Sequence, residues 1–572
     1  MPTVIVRRPN SGSVALPVSP LLQRVYAARG VHSAEQLDRR LQALPPPASL
    51  TGLPAAVTLL EDALRQGQRI TIVADLDADG ATSCALAVRA LRALGATEVR
   101  YVVPNRFVHG YGLTPEIVAV AARDRPDLLI TVDNGISSHE GVRAARALGM
   151  RVLITDHHLP GSSLPAADAL VNPNQPGDAF PCKQLAGVGV IFYVLSALRT
   201  RLRENGWFAT RGLPEPNMAQ FLDLAAVGTV ADVVPLAHAN RVLVEQGLRR
   251  IREGCCAPGI AALFEVTGRS IARASAPDIA FQIGPRLNAA GRLADMSLSI
   301  DCLLCDDPAR ALALARELDR LNRERRVIET EMRAQALESL EQGPLANGEL
   351  PFGLCLFDPD WHPGVVGIVA GRIRERLHRP VIAFAPDHHP GQLRGSARSV
   401  PGLHIRDVLA FIDARQPGLL GRFGGHAAAA GLSLPAAHLA AFQSAFDAEV
   451  RGQLRPEDLN GCLWSDGELE LADFSLETAE QLREAGPWGQ GFPEPLFDGV
   501  FEVTAHRVMK DQHLKLWLRL PGTRRTVEAI AFHRVGDFAP GAARVRLAYK
   551  LDANEWRGER RLQLRVEHLE SA

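Results

Sequence analysis

Four short β-rich runs, RITIVA (residues 69–74), VRYVV (99–103), LLITV (128–132) and RVLIT (151–155), succeed one another at intervals that leave room for one helix between each pair. Strands that are apolar along their whole length and joined by helical crossovers build parallel sheets covered on both faces. The spacing therefore predicts an α/β domain, and in an open parallel sheet ligands bind beyond the carboxyl ends of the strands. Three of the four runs end there on acid. Asp75, Asp77 and Asp79 follow the first, Asp133 the third, and Asp156, His157 and His158 the fourth. Asp232, in GTVADVVPL after the apolar run from Phe221, is expected at the same edge as a further strand end.

A single Asp at such a place is as readily a helix cap or a turn residue. Three acids within five residues repel one another, and a bound cation is the simplest compensation. Asp carboxylates with one or two imidazoles and no thiolate suit Mn²⁺ or Mg²⁺ better than structural zinc. So many ligands allow two ions sharing a bridging carboxylate, the arrangement that serves in-line attack on phosphorus. Phosphoester hydrolysis is the leading reaction class.

Candidate phosphate contacts lie on the same and later segments. Asn105 and Arg106 follow the second run, and in HGYGLTPE Thr114 is placed to cap a helix with Pro115 at its first position, leaving free amides at this edge. Arg106 and those amides are therefore candidate phosphate contacts. Arg286, Asn288 and Arg292 form a second polar group in IGPRLNAAGRL, where capping and packing are equally good readings. A second α/β unit starts near residue 351; in it DWHPGVVGIVAGR places His362 and Arg372 around a helix start. Arg394, Ser396 and Arg398 in RGSAR, and Gly424, Gly425 and His426 in GRFGGHAAAAG, are expected at turns that admit a phosphodiester. The alanines at 427–430 read as tight helix packing.

The 572 residues exceed one compact core. The expected divisions are an N-terminal extension (1–50), a catalytic domain (51–305), a connecting helix (306–345), a smaller α/β domain (346–455) and a C-terminal β-barrel or sandwich (456–572). Net charge is −1, so a polyanion must be held by local patches. From residue 500 onward 14 Lys or Arg face 9 Asp or Glu, an excess of +5 that makes this region locally basic. Eight scattered cysteines give no disulfide framework, and Cys302 and Cys305 read as buried free thiols in a reducing compartment. The longest apolar stretch, 187–198, is too short to span a bilayer, so a cytoplasmic protein with no membrane partner is expected.

VADLDADG, TVDNG, TDHH and GTVADVVPL, in that order, resemble the DHH phosphoesterase superfamily, and GRFGGHAAAAG resembles its DHHA1 companion domain. NRF with GYG, GPRLNAAGRL, WHPGVVGIVAGR, RGSAR and GPWGQGFPEP are similar to the bacterial RecJ family of single-strand-specific 5′ exonucleases, from about residue 50 to the end. The resemblance implies a parallel-sheet DHH domain, a long connecting helix, a DHHA1 domain and a C-terminal OB-fold. It also implies a two-metal enzyme that degrades single-stranded DNA from its 5′ end to mononucleotides in repair and recombination. Asp75, Asp77, Asp79, Asp133, His157 and Asp232 become the metal ligands. His158, with Asp79 and Asp156, takes the catalytic role. Expected partners are single-stranded DNA with a 5′ end, a single-strand-binding protein and a repair helicase. The alternatives are a phosphoesterase of short oligonucleotides or cyclic dinucleotides, and a non-catalytic single-strand-binding replication factor. The first typically lacks a C-terminal barrel, and the second would tolerate loss of acids that are all present here.

Overall fold

The computed structural model describes residues 3–9, 15–105, 111–342, 350–539, 541–556 and 559–571. They form two compact units: residues 5–288, 296–316 and 463–572 in one, and 1–4, 289–295 and 317–462 in the other. In the larger unit five parallel strands run in the order Val99–Val102, Ile70–Ala74, Leu128–Val132, Arg151–Thr155, Ala169–Val171. Every residue of Ile70–Ala74 and Leu128–Val132 is buried, as continuous apolar strands in a covered parallel sheet must be.

The helix after the first strand, Ala78–Ala93, starts where it does because Asp77 caps it, accepting from the amides of Asp79 and Gly80. Position 80 has to be glycine: a Cβ there would lie 2.6 Å from the Asp75 carbonyl oxygen. Leu222–Ala231 packs against the same helix so closely that a Cβ on Gly228 would stand 2.2 Å from Thr82 Oγ1. The Gly187–Glu204 helix has no capping side chain at its own start. Its first amides are satisfied by Asp79 instead, Gly187 donating at 2.6 Å and Val188 at 3.0 Å, so an acid of the first motif orders a helix more than a hundred residues later.

The C-terminal part of this unit is a closed five-stranded barrel in the order Phe497–Met509, His513–Arg519, Thr526–Ala531, Glu559–Ser571, Arg544–Trp556, the strand count of an OB-fold. Just before it, Trp488 and Phe492 of GPWGQGF stack at 5.1 Å. Both rings meet Tyr26, whose hydroxyl donates to Ala485 O, so the N-terminal residues are built into this unit. The smaller unit holds the sheet Phe423–Gly425, Ala429–Pro435, Gln392–Arg398, Val381–Pro386, Leu354–Phe357, antiparallel but for its last pair. The long helix Pro308–Gln342 belongs to this unit from Glu317 onward, where Glu329 pairs with Arg325 and Arg372.

Four local expectations fail. Asp232 ends no strand; it is the C-cap of the Leu222–Ala231 helix, because a run rich in Ala and Gly with no alternation sits among helices. The alanines from Ala429 belong to the strand Ala429–Pro435. RGSAR is a strand interior, not a turn, and Gly424 and Gly425 pair with Gly431 and Ala430. Cys302 is buried, but Cys305, just past the Ser297–Leu304 helix, is only half-buried.

Candidate metal centre

Register builds the site. Ala74 pairs with Val132 and Val132 with Thr155, so Asp75, Asp133 and Asp156 leave the sheet side by side. Asp133 takes a left-handed conformation, φ 61°, that aspartate tolerates better than most residues. Its amide still bonds Thr155 O at 3.0 Å, and Asn134 bridges two strands by donating to Val73 O and Val132 O.

Three sets of ligand atoms lie within 4.8 Å of one another: Asp75, Asp77 and Asp133; Asp79, His157 and Asp232; Asp133, His157 and His158. Asp133 and His157 each belong to two sets. Asp75 Oδ1, Asp133 Oδ1 and His157 Nε2 are buried with no hydrogen-bond partner, although Asp133 Oδ1 and His157 Nε2 are only 3.1 Å apart. Asp232 Oδ2 stands 3.5 Å from the same nitrogen. Burial, then the neighbouring carboxylate charges, push Asp75 up to about 8 and Asp79 to about 7. The same causes push Asp133 and Asp232 well above the carboxylate range. Leaving ionised carboxylates buried costs several kcal/mol each, and a divalent cation removes that cost directly. The donor set therefore fits hard divalent ions.

The two imidazoles are prepared differently. Burial and the charge of His158 lower His157 to about 4. A bond to the Leu185 backbone leaves Nε2, the atom without a partner, to present its lone pair to the acids, the tautomer a ligand needs. His158 is also disfavoured as a cation by burial, but the Asp156 hydrogen bond and the charges of Asp156, Asp75 and Asp232 prevail and raise it to about 10. Asp156 is saturated. Its Oδ1 accepts from the amides of His157 and His158 and meets His158 Nδ1 at 2.7 Å, while Oδ2 accepts from Ile136 N. It acts through His158, and burial notwithstanding, that bond holds its carboxyl below the usual range.

Several neighbours escaped the sequence reading. A Cβ on Gly187 would lie 2.6 Å from Asp133 Oδ1, so glycine is required where this helix start meets the acid. Asn172 and Asn174 donate to the carbonyls of His158 and His157. Tyr111 brings its hydroxyl to 3.3 Å from His158 Nε2. The paired glycines of GVGV and the tyrosine of GYG were the available signals, but nothing in the sequence says which side chain they approach.

The phosphate candidates separate. Asn105 is half-buried in the loop after Val99–Val102, and Arg106 lies outside the described residues. Thr114 caps its helix as expected, accepting from Ile117 N. Asn288 Oδ1 accepts from Ala78 N, beside Asp77, and Arg286 is buried with its guanidinium on Gln282 O. In the smaller unit Arg292 donates to Gly364 O, His362 Nδ1 accepts from Gly364 N, and Arg372 is held by Glu329 and Glu375. Arg394, Ser396 and Arg398 alternate with buried neighbours along Gln392–Arg398 and so share one face. A Cβ on Gly367 would come 2.8 Å from Ser396 Oγ and 2.9 Å from Arg398 Nη2, so the first turn of the Val366–Leu377 helix abuts this pair. Ser396 pairs across with Gly431 and Gly431 with Gly424; Gly425 and His426 follow at the exposed edge.

Family models for the DHH family N-terminal domain (residues 69–229), the DHHA1 domain (351–452) and the RecJ OB domain (465–568) match in that order. The chain is 53% identical over 571 residues to the single-stranded-DNA-specific exonuclease RecJ of Dickeya dadantii, covering 99% of each chain. It belongs to the RecJ family. The RecJ of Thermus thermophilus is 37% identical across 95% of this chain and 74% of its own. The crystal structure of that RecJ with Mn²⁺ matches with a TM-score of 0.82 at 35% identity, covering 99% of this chain and 79% of that one. The form with Mg²⁺ matches at 0.75. RecJ architecture thus accounts for the sheet, the mixed second domain and the barrel together. No described helix is long and apolar enough to cross a membrane.

Proposed function

We propose that this RecJ-family chain is a metal-dependent exonuclease specific for single-stranded DNA, working from the 5′ end and releasing mononucleotides in repair and recombination. One observation carries the reading: buried atoms of Asp75, Asp133 and His157 lack hydrogen-bond partners within the cluster of acids and imidazoles at the edge of a parallel sheet, in a chain whose relatives are named single-stranded-DNA-specific exonucleases. Asp75, Asp77 and Asp133 would hold one divalent ion, Mn²⁺ or Mg²⁺, and Asp79, His157 and Asp232 a second, the two groups meeting where Asp133 and His157 lie together. When bound, such ions neutralise the phosphodiester and favour in-line displacement by water.

The chain's own groups do the rest. Asp156 orients His158 through Nδ1, so Nε2 carries a proton that can bond a phosphate oxygen or be passed to the departing 3′ oxygen of the terminal nucleotide. Asp79 spends its oxygens on the amides of Gly187 and Val188, which supports a role in holding the helix start against Asp133 as well as in binding metal. Asn288 holds the helix start at Ala78 and so supports the first motif. Arg106, Arg286 and the amides near Thr114 are proposed to read the 5′ phosphate, which carries more charge than an internal one. Asn105, Arg292, His362 and Arg372, and the strand face of Arg394, Ser396, Arg398, Gly424, Gly425 and His426, are proposed contacts to the backbone. A cytoplasmic location, with a repair helicase and a single-strand-binding protein as partners, belongs to the same proposal.

Digestion of 5′- and 3′-labelled single-stranded and duplex DNA with Mn²⁺ or Mg²⁺ tests the reading. Immediate release of labelled mononucleotide from the 5′-labelled single strand, a descending ladder from the 3′-labelled one and intact duplex are expected. Equal cutting of duplex, or mononucleotides released first from the 3′ end, would overturn it.

A further inference from the structure

Tyr111 is more than half exposed, at 55%, yet its hydroxyl reaches 3.3 Å from His158 Nε2 and its ring stands edge-on to that imidazole, 6.2 Å between centroids at 83°. Exposure of one aromatic ring is ordinary and by itself means nothing. The combination is not ordinary: one end of the side chain is fixed at the reacting centre and the flat part is left open to solvent. The backbone around it is equally fixed. Gly112 adopts φ 73°, which favours glycine; Leu113 is buried and Thr114 caps the next helix. A tyrosine kept for packing would bury its ring, and one kept only to orient His158 would gain by doing so.

We propose that the open ring of Tyr111 is the surface on which the terminal nucleoside stacks while its phosphodiester is at the metal edge, making Tyr111 a positioning residue that links an unpaired base to His158. The inference rests on the reading of the chain as a single-strand exonuclease. A phosphate held beside His158 leaves its nucleoside one sugar away, within reach of a ring that already touches that histidine. A base in a duplex has its faces covered by neighbours, whereas the end base of a single strand has a face to offer, and stacking on an aromatic ring is tolerant of sequence.

The test uses the full-length protein with Mn²⁺ and two single strands that differ only in whether the 5′ terminal nucleotide carries a base. Wild type should lose roughly 5- to 150-fold in kcat/KM on the abasic end, the range for one stacked base. Tyr111→Ala should lose a comparable factor on the normal strand, mainly in KM, and then treat both strands alike within about twofold. Tyr111→Phe keeps the ring and should keep the discrimination, which also guards against a variant that merely folds badly. The inference is overturned if wild type ignores the missing base, or if Tyr111→Ala discriminates as strongly as wild type. An inactive wild type fails on both strands and refutes the exonuclease reading itself, a result distinct from either of these.

Discussion

Metal binding should release protons, and the structure sets how many can leave. Without metal, Asp75 titrates at about 8 and Asp79 at about 7, while Asp133 and Asp232 lie well above the ordinary range. His157, at about 4, is already neutral at pH 7 and contributes none. On the order of two to four protons should therefore leave as the site fills at pH 7. Each one makes the apparent affinity rise about tenfold per pH unit below the value at which that group loses its proton, so the slope is steepest near pH 6 and declines toward 8. The same groups fix the stability of the metal-free protein. A carboxyl raised in the fold holds a proton that the unfolded chain has lost, so stability falls as pH rises from about 4 toward 8, by about 1.4 kcal/mol per unit for each proton. His158, raised to about 10, acts in the same direction above the ordinary histidine value. His157 opposes it only from about 4 to 6.5, one group against four. Calorimetric titration of Mn²⁺ at pH 7 in two buffers of different ionisation enthalpy counts the protons, and thermal melts from pH 5 to 8 follow stability with and without metal. No proton release together with a flat affinity from pH 6 to 8 would refute the reasoning.

Alanine at Asp77, Asp133 or His157 should abolish hydrolysis while DNA binding by filter retention largely survives; activity within a few-fold of wild type for all three would rule out the proposed site. Gly187→Ala puts a methyl 2.6 Å from Asp133 Oδ1 and should cost about 1–3 kcal/mol in denaturant unfolding, together with a measurable loss of Mn²⁺ affinity. Asp156→Asn faces an amide toward donors that the carboxylate now accepts from and should lower kcat by about 10²-fold or more, with unfolded or wild-type-like outcomes separated by circular dichroism and steady-state kinetics. Replacing the exposed Arg507, Lys510 and Arg544 of the barrel by alanine should reduce the slope of log affinity against log salt by about 2, at roughly 0.7 for each single-strand phosphate that is no longer neutralised; an unchanged slope would place the phosphate-binding cations elsewhere.

Much of the site was legible because a parallel sheet converts sequence order into spatial order. Once 70–74, 128–132 and 151–155 are strands, the acids that follow must share an edge, and Asp75, Asp133 and Asp156 do. Asp232 joins Asp79 and His157, but not by the route the strand pattern suggested. It arrives on a helix end, a position that no strand pattern encodes. RGSAR and the alanine run were misread for a related cause: short segments rich in Gly, Ala and Ser carry too little alternation to declare a strand, and their pairing with one another settles it.

What the sequence determined by itself was chemistry and local form: which groups could bind hard cations, that strands and helices alternate, and that a basic β-rich region closes the chain. What only the tertiary structure decided was the division of labour among those groups. Asp79 caps a helix more than a hundred residues away, Asp156 is consumed by His158 and three backbone amides, and Tyr111 reaches that same histidine from another loop. Hydrogen bonds of this kind act over about 3 Å, and nothing along the chain specifies which distant segments will come that close until long-range packing has brought them there.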